Sequence, residues 1–106
     1  MTSILLIFMI CVGLALLALM FDWFQTLTIA GHPERFSEVN PILGQHPSKT
    51  AVNVYFIAWM LITVGVAGAL YLTSHLIIGI CLTLALALFE FVVVLRNKSL
   101  GVSLLQ

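Results

Sequence analysis

Eighteen consecutive residues, Ile4 to Phe21, carry no charge, and the rest of the chain repeats that pattern in two further apolar segments. About 20 predominantly apolar residues are needed to cross the hydrocarbon core of a bilayer as a helix. Three such runs use up most of the 106 residues and leave no interval long enough for a separate soluble domain. Composition points the same way: 62% of residues are hydrophobic, 8% are charged and mean hydropathy is +1.21, whereas soluble domains carry about 25% charged residues. The expected fold is all-α, an integral membrane bundle of three transmembrane helices at about 3–30, 51–72 and 75–95, forming one domain over 1–106.

The opening run resembles the apolar part of a secretory signal, but Met1 to Ser3 supply no basic residue. The run is also longer than a typical signal core and meets no convincing small-residue cleavage site. A retained first helix is expected. Its small and polar residues Cys11, Ala15, Ala18, Asp22 and Gln25 recur at intervals of four, three, four and three, which places them on one helix face. Lipid offers no hydrophobic gain for helix association, so such small-residue seams mark where helices meet. The second span carries Gly65, Ala67 and Gly68 as a patch suited to close crossing, and the third carries Gly79, Thr83, Ala87 and Glu90 on one face. Cys11 and Cys81 both fall inside apolar spans and read as buried thiols that behave as small hydrophobes, not as a disulfide framework.

Between the first two spans, Gly31 and Pro33 signal a helix end, and Asn40-Pro41, Gly44 and Pro47 signal turns. The loop over 31–50 is expected to be compact, with Phe36, Val39, Ile42 and Leu43 dipping towards the interface and Ser48 or Thr50 capping the next helix. Thr73, Ser74 and His75 leave room only for a hairpin. With three spans, Arg35, Lys49, Arg96 and Lys98 all fall on one side, so the positive-inside rule predicts a cytoplasmic loop and C-terminus, with Met1 and the hairpin outside. A formal net charge of zero gives no sign of nucleic acid as a partner.

The polar residues gather at one level. A rise of 1.5 Å per residue puts Asp22 about 13 Å along the helix from Gly31, and Glu90 about 9 Å before Arg96. Asn53 enters the second span from the same side. Ionisable groups inside a membrane are costly and face a bundle interior, a partner or a cavity. Asp22, Gln25 and Thr26, at i, i+3 and i+4, present a carboxyl, an amide and a hydroxyl together. They form either a hydrogen-bonded seam that sets helix register, with Asp22 bonded to Gln25, Asn53 or a backbone carbonyl, or a binding or catalytic site. Glu38 and Asn40 fold back over Asp22 on either view, as a loop clamp or as part of that site. His32 and His46 are the weak metal-ligand candidates; no metal-binding spacing accompanies them, and no cofactor is expected. Nucleophile elbow, Walker loop, dinucleotide fingerprint and Cys-x-x-Cys motifs are all absent from the sequence.

Asp22-x-x-x-Thr26 followed by Glu38-x-Asn40-Pro41 resembles the pattern of a family of small, uncharacterised three-helix membrane proteins of prokaryotes and their phages. The direct match covers about 20 residues, and the hydrophobic layout around them is similar as well. That resemblance implies the three-span fold and groups Asp22, Thr26, Glu38 and Asn40, but it implies no activity.

Three functional classes fit these residues. The first is a small inner-membrane scaffold or interaction protein, possessing partners in the bilayer, in other copies of itself or in a larger membrane protein. The second is an intramembrane enzyme or lipid-headgroup binder using the Asp22, Glu38 and Asn40 groups. The third is an oligomeric ion or proton path through Asp22 and Glu90.

Overall fold

A computed structural model describes residues 3–34, 36, 42–44 and 46–102. Three helices follow one another: α1 (Ser3–Gly31), α2 (Lys49–Leu72) and α3 (Leu76–Ser99). At 1.5 Å per residue the shortest of them extends about 36 Å, more than the roughly 30 Å of a hydrocarbon core. All three are long and apolar enough to cross a membrane.

The register of α1 against α3 is fixed at both ends. Phe8 lies across Gly79, while Gln25 reaches Val94 and Asn97, so the two helices run parallel and residues about 70 apart in sequence face each other. This is the bundle's most extensive contact; α2 packs less on α1 and least on α3. The expected seams form it: Cys11, Ala15, Ala18, Asp22 and Gln25 on α1 and Gly79, Thr83, Ala87 and Glu90 on α3 are all buried. Small side chains let the backbones approach, which is the main source of helix attraction in lipid.

The patch on α2 behaves differently from the expected close crossing. Ala67 is buried, but Gly65 and Gly68 are exposed, with nothing within 4 Å of where a Cβ would stand. The inward face of α2 is instead Val52, Phe56, Thr63 and Ala67. Phe56 and Val52 join Leu19 in a small core wrapped by Trp23, Leu27, Tyr55, Trp59 and Met60. Between α2 and α3 lies a shallow apolar groove of about 190 Å³ lined by residues including Trp59, Thr63, Leu82 and Thr83.

Helix ends account for the remaining differences from expectation. Ser48 caps α2, its hydroxyl accepting from Ala51 N–H at 3.1 Å. That brings the start forward to Lys49. α3 continues past Leu95 to Ser99, because Arg96 to Ser99 still have a helical path and the stop comes from Gly101. There φ is +90°, with Val102 N–H bonded to Asn97 C=O and Gly101 N–H to Lys98 C=O. This is a Schellman ending, in which a left-handed residue folds the chain back onto the last free carbonyls. α2 ends in the same way with Ser74 at φ +62°, His75 N–H bonding Leu70 C=O and Ser74 N–H bonding Tyr71 C=O. Gly31, expected to cap α1 in this role, is absent from the positive-φ positions; it is the last helical residue, and Pro33 follows.

The described surface inverts the pattern of a soluble protein. Large hydrophobic side chains such as Leu61, Leu72, Phe89, Val92 and Leu95 are exposed, while Asp22, Gln25, Thr26, Thr28, Thr63, Thr83, Glu90 and Asn97 are buried. Cys81 is part of that outer surface, contrary to its expected burial; only Cys11 is enclosed, and both thiols are free. The reason is helical phase, since Cys81 lies two residues from both Gly79 and Thr83 and so faces away from the α3 seam.

Candidate functional site

Little more than one turn in the C-terminal half of α1, Asp22 to Thr26, builds the polar level. Positions two apart on a helix point about 200° away from each other. Trp23 and Gln25 are therefore aimed at different neighbours. Trp23 Nε1 donates to Asn53 Oδ1 at 2.9 Å, and its ring stacks on Phe56 with centroids 6.1 Å apart and planes 8° from parallel. These contacts tie α1 to α2.

Gln25 ties α1 to α3. Its Nε2 donates to Val94 C=O at 3.0 Å and its Oε1 accepts from Asn97 Nδ2 at 3.2 Å. A backbone carbonyl has a second lone pair for such a bond, even inside a helix. Gln25 is 2% exposed and Asn97 is buried with it, so both ends of the Gln25 amide are satisfied away from water. An amide that bridges a carbonyl and a second amide serves as a positional lock, because sliding α3 by one residue would break both bonds.

Asp22 bonds within its own helix. Thr26 Oγ1 lies 2.7 Å from Asp22 C=O and 3.1 Å from Asp22 Oδ1, donating to these two acceptors. The seam reading expected Gln25, Asn53 or a backbone carbonyl as the partner of the Asp22 carboxyl; the carboxyl takes Thr26, and the two amides serve the neighbouring helices. Glu90 is buried to the same extent as Asp22, each being 8% exposed. The α1 to α3 register sets Glu90 about level with Leu19, within roughly a turn of Asp22. Both carboxyls therefore belong to the α1 and α3 contact, and Val94 and Asn97 continue the Glu90 face.

The other expected site residues are scattered or lie elsewhere. Glu38 and Asn40, with Pro41, fall outside the described residues. His32 is half-buried, its Nδ1 3.1 Å from Thr28 C=O and its ring edge-on to Phe36. His46 is exposed. Among the described residues no group of three or more His, Cys, Asp or Glu side chains comes together.

Two members of the network were not among the expected site residues. Asn97 stands between Arg96 and Lys98, yet it comes seven residues after Glu90 and so lies on the same face. Trp23 flanks Asp22 in the sequence, and its indole N–H, a donor that needs an acceptor when buried, is the signal that Asn53 answers.

The geometry defines a class: an all-helical bundle of three candidate membrane spans, held by interhelical hydrogen bonds at one level. Compared with protein-family models, curated proteins and solved structures, the chain finds no match.

Proposed function

We propose that this chain is a multi-pass protein of a bacterial-type inner membrane that acts as a small scaffold or interaction protein, binding other copies of itself or a larger membrane partner. The observation that carries this reading is the pairing inside the polar level. Gln25 with Val94 and Asn97 and Trp23 with Asn53 use these groups to hold helices together, while Thr26 satisfies Asp22 within α1. Groups committed in this way favour a lock on helix register over an open reaction centre. A rigid bundle with an apolar outer surface then has its helix faces as its means of recognition. α2 is the best placed, since Gly65 and Gly68 leave its backbone accessible to another helix.

In this reading the 31–50 loop and the C-terminus are cytoplasmic and the hairpin at Thr73 to His75 is outside, in keeping with the four basic residues at one end. Extraction in mild detergent, affinity capture and mass measurement test the function. The expected result is a dimer or higher assembly, or a co-purifying membrane protein. A strictly monomeric species with nothing bound overturns it.

The burial of Asp22 and Glu90 in one helix contact favours one second reading, an ion or proton path through an oligomer. Proton flux in liposomes that is the same with and without Asp22→Asn excludes that path.

A further inference from the structure

The formal net charge of zero conceals a separation. Of the four acidic residues in the sequence, Asp22 and Glu90 are buried between α1 and α3. Of the four Lys and Arg, Lys49, Arg96 and Lys98 are exposed, while Glu34 is the exposed acid among the described residues. Arg35 and Glu38, of opposite sign, lie outside the described residues. The sequence between Asn53 and Phe89 holds no charged residue, so the hairpin end of the bundle offers no counterpart. One end of a formally neutral chain thus presents an excess of positive charge.

The placement of those cations follows from the hydrogen bonds beneath them. Asn97 points inward to Gln25. Neighbours on a helix are turned by about 100°, so Arg96 and Lys98 are directed to the two flanks of α3. Directly below them on the same helix are the exposed apolar side chains Val92 and Leu95, with Leu100 beyond. Lys49, at the start of α2, leans over the end of α1: its Cε and Nζ lie 3.5 and 3.8 Å from where a Cβ on Gly31 would be. The result is a cationic rim set immediately above an apolar belt.

We propose that this rim is a binding surface for anionic phospholipids, with headgroup phosphates beside Lys49, Arg96 and Lys98 and acyl chains along the exposed faces of the helices below. A soluble anion matches only the charges, whereas a phospholipid matches the charges and the belt together. The proposal rests on the membrane-spanning reading above. It goes beyond that reading by naming the lipid class that the cationic end selects.

The test uses the full chain in nanodiscs made from a mixture of phosphatidylcholine and phosphatidylglycerol, followed by release and native mass spectrometry of the lipids that stay bound. Wild-type protein is expected to retain phosphatidylglycerol in preference to phosphatidylcholine, and each of Lys49→Gln, Arg96→Gln and Lys98→Gln to lower that preference roughly fivefold. The triple variant should show none. Equal retention of both lipids by wild type, or a preference untouched in the triple variant, overturns the proposal. So does inorganic phosphate displacing the bound phosphatidylglycerol at millimolar concentration, which would mark attraction to any anion. Resistance of the membrane-bound protein to alkaline carbonate is measured in parallel. Protein that resists extraction but shows no lipid preference removes the lipid surface alone, and protein that is extracted removes the membrane-spanning reading itself.

Discussion

Phe8 and Gly79 show how far one side chain sets the spacing of the bundle. A Cβ at Gly79 would overlap the Phe8 ring and lie 3.6 Å from Leu70 Cδ1, so the ring must shift to admit it. Gly79→Ala is expected to lower stability by about 1–3 kcal/mol, the usual effect of overpacking. Phe8→Leu should recover much of that loss, and a double-mutant cycle by thermal denaturation in detergent measures the coupling. A zero coupling energy would show that the two residues do not meet. Gln25 makes a second claim of this kind. Gln25→Leu removes both bonds to α3 and strands the Asn97 donor, and is expected to cost about 1–2 kcal/mol, at the upper end for interhelical hydrogen bonds in membranes. Gln25→Leu combined with Asn97→Leu should cost less than the two separate losses added together, since no polar group is then left buried alone. Additive losses would argue against the bond.

Whole elements obey local rules that the sequence announces unevenly. The seams of α1 and α3 were legible because Cys11, Ala15, Ala18, Asp22 and Gln25, and Gly79, Thr83, Ala87 and Glu90, keep one helical phase over several turns. The α2 patch was not, because Gly65 and Gly68 share a face on which Ala67 does not lie, and nothing local says which face a neighbour will choose. Phe56 and Val52 decide it through their fit with Leu19, a long-range fact. Within the site, Asp22 with Thr26 was legible as an i, i+4 pair, while the Gln25 partners required knowing that α1 and α3 run parallel with a shift of about 70 residues. The end of α3 is legible in principle, since Gly101 is a left-handed stop signal, but the apolar run that defines the expected span stops at Leu95, before the charged Arg96 and Lys98. Ser74 does the same work as Gly101 at the end of α2 with a side chain attached. A left-handed conformation is strained for a residue with a Cβ by about 1 kcal/mol or slightly more, so Ser74→Gly is expected to raise stability by up to about 1 kcal/mol. A lower melting temperature in Ser74→Gly would mean that the serine side chain contributes more than its backbone strain.

At the scale of the molecule, the inverted distribution of polarity suits a bilayer better than water. In water the exposed Leu61, Leu72, Phe89 and Val92 would drive association at about 25 cal/mol for each Å² of apolar surface covered. In a bilayer the same surface is at no disadvantage, and the stability of the bundle rests on close packing and on the bonds at the polar level. The proposed orientation rests on the charges, because translocating the cationic end is disfavoured while the sequence around the hairpin holds no Lys, Arg, Asp or Glu. Topology can therefore be read with single cysteines in a background carrying Cys11→Ala and Cys81→Ala. His46→Cys, in the loop before α2, is expected to react with a membrane-impermeant maleimide only after the cells are opened. His75→Cys, exposed at the opposite end, is expected to react in intact cells whose outer barrier has been made permeable. The reverse pattern would invert the protein in the membrane and place the cationic rim outside. Labelling of both positions in intact cells would rule out three spans, since an odd number of crossings puts these two connections on opposite sides.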